Sequence, residues 1–157
     1  MTEPIEIRNL FNPAFLASIL AISINSYQSK SKLAFPYFLS FLIIPLILHK
    51  KTRDSIPGRA NAKLHKWINE NPQIQLELAN RIKGLNNKIK KGILVGIQGK
   101  LFNLTSDGRL NSLRKISPKI WNPNSEVIGI CKKAHILGSL FSTMDAMEIY
   151  AILGVKP

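Results

Sequence analysis

Residues 12–27 read NPAFLASILAISINSY and form the first long apolar stretch of the chain. Asn12 is a favoured helix N-cap and Pro13 suits the first position of a helix, so the pair predicts a helix start. The apolar residues that follow repeat at helical spacing and cover nearly every side of the helix. Such a helix needs partners on all of those sides. We therefore predict a central helix that runs to about Tyr27, followed by a polar loop at residues 28–32.

A second apolar stretch, FPYFLSFLIIPLIL, occupies residues 35–48. Its 14 residues fall short of the roughly 20 that a membrane-spanning helix needs, and they include Pro36, Ser40 and Pro45. We interpret the stretch as one buried core helix that continues through residues 49–56. We accordingly expect no membrane partner.

The middle of the chain predicts two amphipathic helices. A short one carries Ala60 and Trp67 and precedes a longer one at residues 73–98. The apolar stripe of the longer helix consists of residues spaced by three or four, namely Leu78, Ile82, Leu85, Ile89, Ile93 and Ile97. Gly92 and Gly96 on this helix leave room for the close approach of another backbone.

A β-hairpin is predicted at residues 100–110, where Asp107 and Gly108 form a turn dipeptide between short apolar pieces. It is the only good strand signal in the sequence. An irregular connection marked by Pro118 and Pro123 follows it.

Two further helices are predicted after that connection. Apolar residues from Val127 to Phe141 repeat at core-facing helical spacing. Ser142, with Asp145 three residues later, predicts the cap of a final short helix, and Gly154 ends that helix.

These elements together predict a mainly α fold with one small β-hairpin, arranged as a compact helical domain. We expect residues 1–157 to form a single domain, because a chain of this length buries about two thirds of its unfolded surface around one core. Residues 12–56 would be its apolar helical half. Residues 59–157 would be a basic half that resembles a winged-helix layout, a helix followed by a basic hairpin, with the C-terminal helices after it.

The charge of the chain is strongly positive, since 22 Lys and Arg face 9 Asp and Glu for a formal net charge of +13. Polyanions are therefore plausible partners. A non-specific DNA-binding module would place seven basic side chains against phosphates, namely Lys88, Lys90, Lys91, Lys100, Arg109, Arg114 and Lys115. The alternative is a solvated basic face that keeps the chain soluble. Both alternatives stay open, because the segment shows neither an aromatic stacking platform nor obvious base-reading side chains.

The sequence contains no recognisable catalytic or metal-binding pattern. It has no Walker loop, no dinucleotide fingerprint and no histidine pair at metal-ligand spacing. We therefore predict a non-catalytic chain without a cofactor or a metal, in which any nucleotide chemistry comes from a partner. His135 lies one helical turn from Cys131, so a Cys–His dyad is conceivable. The apolar spacing around Cys131 instead predicts a buried and inert thiol.

Two observations favour a cytoplasmic location. Cys131 is the only cysteine, so it cannot form an intrachain disulfide, and this suits a reducing compartment. Glu3 and Glu6 stand where a secretory signal would carry positive charges, and no small-residue cleavage site follows the apolar stretch. Export is therefore not indicated.

Four short motifs carry a resemblance to a known family. They are Asn12-Pro13-Ala14-Phe15, then Phe35-Pro36 leading through Leu42–Lys50 to Thr52-Arg53 and Ile56-Pro57, then Gly108-Arg109-Leu110, and finally Lys133-Ala134, Leu137-Gly138 and Phe141 with Ile149-Tyr150 and Leu153–Pro157. In this order they resemble the middle components of three-component ABC systems, which include the corresponding subunit of Lamassu-type antiphage systems. The chain departs from the pattern at Lys51, where a proline is expected, so the local end of that helix can differ.

The resemblance implies a subunit that bridges two partners. One is an SMC-like ABC ATPase with a coiled coil, and the other is an effector, often a nuclease, that is held inactive until foreign DNA is sensed. The implied setting is antiviral or anti-plasmid defence. No functional residue is carried over from the family.

Two segments are candidates for partner binding on physical grounds alone. They join an apolar helix to a basic end or leave apolar residues at the edge of the chain, and they comprise Lys50, Lys51, Thr52, Arg53 and Ile56, with Leu153, Gly154 and Val155. Arg53 can offer a planar bidentate donor to a carboxylate of a partner. We expect Arg53→Ala, or deletion of residues 153–157, to weaken binding of the ATPase while the isolated fold stays intact. A peripheral membrane protein that uses the apolar stretches is a further alternative.

Overall fold

A computed structural model describes residues 12–59, 61–116 and 125–157 of the chain. Within these residues most of the chain is α-helical, and a small part forms a three-stranded antiparallel sheet. The prediction of a compact, mainly α fold is confirmed. The predicted hairpin is present, but a third strand joins it.

Helix α1 (Pro13–Ser31) begins where the sequence predicts. Asn12 is its N-cap, and the Asn12 side chain accepts a hydrogen bond of 2.8 Å from the amide of Ala14. The prediction of a polar loop at residues 28–32 is wrong, because the helix continues to Ser31. It ends at Lys32, which adopts a left-handed conformation with φ 64°.

The second apolar stretch is not one helix, and that prediction is wrong. It begins with strand β1 (Phe35–Pro36) and a 3-10 turn (Tyr37–Leu39), and only then enters helix α2 (Ser40–Leu48). The residue before a proline is biased away from the α conformation, which explains the extended start at Phe35. His49 is also extended, with φ −83° and ψ 110°, and it separates α2 from helix α3 (Lys50–Ser55).

The two amphipathic helices are present as helix α4 (Leu64–Glu70) and helix α5 (Gln73–Gln98). The bounds predicted for the longer helix are confirmed, and its apolar stripe is buried or packed against the core. Ala60 lies outside the described residues. Gly92 approaches α1 closely, since a Cβ built there would lie 3.0 Å from the Cβ of Leu16. Gly96 faces the ring of Phe102 rather than another backbone.

The hairpin consists of strands β2 (Phe102–Leu104) and β3 (Arg109–Ser112). Its turn uses Gly108 at φ 80°, a conformation that favours glycine. Strand β1 pairs with the other edge of β3, so the strand order is β1-β3-β2. The sequence analysis missed β1 because two residues cannot show an alternating pattern. The sheet therefore joins the apolar half of the chain to the basic half.

Helices α6 (Ser125–Phe141) and α7 (Ala146–Leu153) complete the described chain. Gly154 ends α7 in a left-handed conformation, as predicted. The cap predicted at Ser142 is wrong, because the Ser142 hydroxyl donates back to the carbonyl of Ser139 and α7 begins only after Asp145. The connection predicted around Pro118, Trp121 and Pro123 lies outside the described residues.

Helix α1 is the centre of the core, as predicted. It packs against α5, α6 and β3, and most of its residues are buried. Two of its serines are buried on the side that faces α6. The Ser23 hydroxyl donates to the carbonyl of Ala134 at 2.8 Å, and the Ser26 hydroxyl donates to the carbonyl of Ser23 at 3.1 Å. These bonds satisfy the polar groups that a nearly apolar helix brings into the core.

In the part of the chain that the structure describes, no single helix is long and apolar enough to cross a membrane. The adjoining segments Glu126–Phe141 and Ala146–Leu153 reach that length and composition only as a pair, and they are bent by 115° relative to each other.

Because α1 and α6 pack closely, we predict that one methyl group added to α6 at Gly138 destabilises the fold. A Cβ at Gly138 would lie closer than 3.0 Å to the Ser26 hydroxyl and to the backbone of Ser23. We expect Gly138→Ala to lower the free energy of unfolding by about 1–3 kcal/mol, the usual range for overpacking. Urea denaturation followed by circular dichroism measures this.

Gly129→Ala on the same helix is the matched control, since a Cβ there meets nothing within 4 Å. It should raise stability by up to about 1 kcal/mol through helix propensity. Equal effects of the two substitutions would contradict the close packing at Gly138.

Candidate functional site

Helix α3 and its two flanking residues, His49 to Ile56, connect most of the other helices. Side chains and carbonyls of this segment form hydrogen bonds with α4, α5 and α6, and Arg53 reaches back to the last turn of α2. We call the segment the α3 hub. It contains five of the eight residues that the sequence analysis nominated for partner binding.

The contact between the hub and α5 is made by Arg81. Its guanidinium donates to the Thr52 hydroxyl at 2.8 Å and forms an ion pair with Glu77 on its own helix. The Nδ1 atom of His49 lies 2.8 Å from the same hydroxyl. It also accepts a hydrogen bond of 3.3 Å from the Thr52 amide, and this bond caps α3. Partial burial, with the neighbouring Arg81 charge, lowers the pKa of His49 and favours its neutral form.

Arg53 holds the hub to α2 and α6. Its side chain is only 6% exposed. One guanidinium nitrogen donates to the carbonyl of Ile47 at 2.9 Å, and the other lies 3.4 Å from a carboxylate oxygen of Glu126. The sequence predicts that the Arg53 guanidinium is a bidentate donor to a partner's carboxylate, but in the structure it points inward. The extended residue His49 separates α2 from α3, and Arg53 on α3 reaches the Ile47 carbonyl at the end of α2.

Two more contacts complete the hub. The indole nitrogen of Trp67 donates to the Ser55 hydroxyl at 3.0 Å. The ammonium of Lys133 donates to the carbonyl of Ile56, and burial lowers the pKa of Lys133, although the nearby Asp54 opposes this shift. The hub therefore satisfies several buried polar groups at once.

The predicted partner-binding residues divide into two groups. Thr52, Arg53, Ile56 and Leu153 are buried, so little of their surface is open to a partner. Four others reach the surface, namely Lys50, Lys51, Gly154 and Val155. Partner binding stays a prediction for both groups. Lys50 donates to Asp54 at 2.8 Å, and this hydrogen bond holds the pKa of Asp54 below its ordinary value.

A cleft of about 370 Å³ opens beside the hub. It is lined by charged residues of both signs and one glycine, namely Lys50, Arg53, Asp54, Glu126, Gly129 and Lys133. Because bases and acids share its walls, the cleft favours neither a simple anion nor a simple cation.

The seven predicted DNA-binding residues lie on α5, in the turn between α5 and the hairpin, on the hairpin and just after it. Six of them are exposed, as Lys88, Lys90, Lys91, Lys100, Arg114 and Lys115. Arg109 is partly buried and donates to the carbonyl of Ala34 at 2.7 Å, so it stabilises the sheet corner. Lys90 differs from its neighbours Lys88 and Lys91, because it borders an apolar groove together with Ile82 and Asn86.

That groove was not found in the sequence analysis. Its volume is about 280 Å³, and it is lined by side chains of the 3-10 turn, α2, α5, α7 and the last residues of the chain. We call it the aromatic groove. Phe38 stands at its edge with 60% of its surface exposed. The sequence does not indicate this groove, because Phe38 belongs to an apolar stretch that is predicted to be buried throughout.

Cys131 and His135, one helical turn apart, both lie on α6. Cys131 is buried, as predicted, and burial raises the pKa of its thiol. His135 on the next turn is exposed. Among the described residues, no group of three or more His, Cys, Asp or Glu side chains could hold a metal ion.

Comparison with known proteins identifies a family. Residues 2–157 match the family model described as the ABC-three component (ABC-3C) system Middle Component 3. Neither the curated proteins nor the solved structures contain a significant match.

The position of Arg53 predicts a stability defect rather than a pure binding defect. Arg53→Ala removes the donor that satisfies the Ile47 carbonyl, and an unsatisfied buried acceptor costs about 1–3 kcal/mol. We expect a loss of that size in the free energy of unfolding, measured by urea denaturation of the isolated chain. Arg53→Met keeps the aliphatic stem and should show most of the same loss.

Lys51→Ala is the control on the same helix, since Lys51 is exposed. Its effect should stay within about 0.5 kcal/mol, as for other surface substitutions. An Arg53→Ala variant as stable as the Lys51→Ala variant would show that the inward contacts of the guanidinium contribute nothing.

Proposed function

The chain belongs to the ABC-three component system Middle Component 3 family, and from this we propose that it is a non-catalytic adaptor subunit of such a system. The observation that carries the proposal is the match of the family model to nearly the whole chain. In this proposal the chain bridges an ABC-type ATPase and an effector, and it catalyses no reaction itself.

The finer features of the proposal come from the resemblance described above. The ATPase would be SMC-like with a long coiled coil, and the effector would be a nuclease that stays inactive until foreign DNA is sensed. Lamassu-type antiphage defence in the cytoplasm is the setting that we propose.

The surface of the described residues supports a role in protein contacts. Several large apolar side chains are more than half exposed, including Leu76 at 81% and Phe38 and Met147 at 60%. They lie on α5, α7 and the 3-10 turn. Single exposed apolar residues are common on protein surfaces, so the one that supports this role is Phe38, which borders the aromatic groove.

Co-expression of the three components of the system tests the adaptor role. We expect the effector to co-purify with a tagged ATPase only when this chain is present, because the chain supplies the contacts to both. Co-purification of the effector at the same level without the chain would contradict the bridging role.

The chain purified alone should neither hydrolyse ATP nor cut DNA. If a nuclease-free preparation shows either activity, and the Cys131→Ala substitution removes it, the non-catalytic role is contradicted.

A second candidate function, non-specific DNA binding, is favoured by the charge of one segment. Residues 78–106 carry six bases, Arg81, Lys83, Lys88, Lys90, Lys91 and Lys100, and no carboxylate. This segment forms most of α5 and the first strand of the hairpin, an arrangement of helix and basic hairpin that resembles a winged-helix layout. The two functions are compatible within one complex.

Charge reversal on α5 tests the DNA interface. Each neutralised phosphate contributes about 0.9 to the slope of log K against log salt. We expect the double substitution Lys88→Glu with Lys91→Glu to weaken binding to a duplex and to reduce that slope by about 1.8 if both side chains neutralise a phosphate. Fluorescence anisotropy over a series of salt concentrations measures both quantities.

The matched control reverses two exposed lysines on other helices, Lys66→Glu with Lys132→Glu. It causes the same change in net charge. If both double variants weaken binding equally, the attraction reflects net charge alone and α5 is not a DNA interface.

A further inference from the structure

The aromatic groove begins with an exposed ring that the fold holds in place. Phe38 lies in the 3-10 turn, where its carbonyl accepts a hydrogen bond of 2.6 Å from the hydroxyl of Tyr150 on α7. Burial raises the pKa of Tyr150 to about 12, so this hydroxyl remains a donor at neutral pH. The ring of Phe38 also packs edge to face on Tyr37, with centroids 5.7 Å apart. An apolar side chain that is both exposed and ordered is suited to anchoring a partner.

The floor of the groove continues from this ring. Tyr37 contacts Phe41 in a second edge-to-face pair at 5.5 Å, and both rings are partly buried. Ile82 of α5 and Val155 after α7 add aliphatic surface. Residues far apart in the sequence, at 37–41, 82–90 and 150–157, thus meet here, so the groove forms only when these parts of the chain have folded together.

The size of the groove favours a side chain over a free small molecule. Its volume of about 280 Å³ is below the roughly 300–1,000 Å³ that is usual for small-molecule pockets. The groove is also open to the surface, so a large apolar side chain can enter it while its own backbone remains outside. This is how an anchor residue of a protein partner binds.

The charges around the groove favour an acidic partner segment. Lys90 on α5 and Lys156 after α7 line its rim, and no Asp or Glu side chain is part of its lining. Both lysines are exposed. Carboxylates close to the anchor residue in sequence would therefore meet complementary charge, which contributes to specificity and to the rate of association.

Single-stranded nucleic acid also combines negative charge with flat apolar groups, but the geometry favours it less. Bases stack in succession on several exposed aromatic faces. Here Tyr37 and Phe41 are partly buried beneath the surface, and among the three rings Phe38 alone is exposed. The groove accepts one inserted group rather than a row of stacked ones.

We propose that the aromatic groove is the docking site for an acidic segment of another component of the same system, which inserts one large apolar side chain beside Phe38. This inference rests on the proposed adaptor function and gives it a location. The lysines of the rim pair with Asp or Glu residues of the inserted segment.

Peptide arrays test the proposal directly. Overlapping 15-residue peptides that cover the ATPase and the effector are probed with the labelled full chain. We expect binding to peptides in which a large apolar residue is flanked by Asp or Glu, with a loss of at least tenfold for Phe38→Ser and for Lys90→Glu with Lys156→Glu. Phe38 is 60% exposed, so Phe38→Ser should lower the unfolding midpoint in urea only slightly.

Two matched variants serve as controls in the array and in co-purification of the three components. Leu113→Ser removes another exposed apolar side chain, and Lys66→Glu with Lys132→Glu reverses two other exposed lysines. Neither should reduce binding. If the components co-purify with the unmodified chain and equally well with the Phe38→Ser variant, the groove is not the docking site although the adaptor function stands.

Absence of co-purification with the unmodified chain would instead contradict the adaptor function itself. A Phe38→Ser variant that keeps both protein partners but loses affinity for a single-stranded oligonucleotide would overturn the proposal in favour of nucleic acid. An array in which acidic and basic peptides bind equally would overturn the role of the lysine rim.

Discussion

Burial of helix α1 on nearly all sides is the constraint on which the rest of the structure depends. Its apolar residues leave no face for water, so α5, α6 and the sheet must surround it. Its two buried serines find hydrogen-bond partners in α6 and in α1 itself. Gly138 and Gly92 then allow α6 and α5 to approach the helix closely enough to exclude solvent. The remaining elements stabilise this arrangement from outside, with the α3 hub fastening α2, α4, α5 and α6 to one another.

The parts of the fold that could be predicted are those where a local pattern and the tertiary environment agree. Helix α5 matches its predicted bounds because its apolar stripe has helical period over its whole length. The hairpin follows from the turn dipeptide Asp107-Gly108. By contrast, strand β1 consists of only two residues, and their partners in β3 lie far along the chain. No local sequence pattern therefore indicates this strand. The break at His49 interrupts a stretch in which every neighbouring residue is compatible with a helix.

The surfaces were harder to predict than the fold, because residue type does not give the direction of a side chain. Arg53 is a cation in a basic segment, yet the turn between α2 and α3 directs it to the Ile47 carbonyl. Phe38 is apolar in an apolar stretch, yet the 3-10 turn directs it to solvent. Many residues of the motifs that carry the family resemblance, such as Phe35, Thr52 and Phe141, are likewise buried. Those motifs therefore contribute largely to the core of this chain.

The central position of α1 has a consequence for synthesis on the ribosome. This largely buried helix is made early, but its largest partner, α6, ends on the order of 100 residues later, which is roughly 5–20 s at ordinary rates of translation. Strand β1 likewise has to wait for β3. During this interval α5 can already cover one side of α1, but the side that α6 covers in the finished fold stays open. A truncation before α6 would leave that apolar side of α1 permanently exposed.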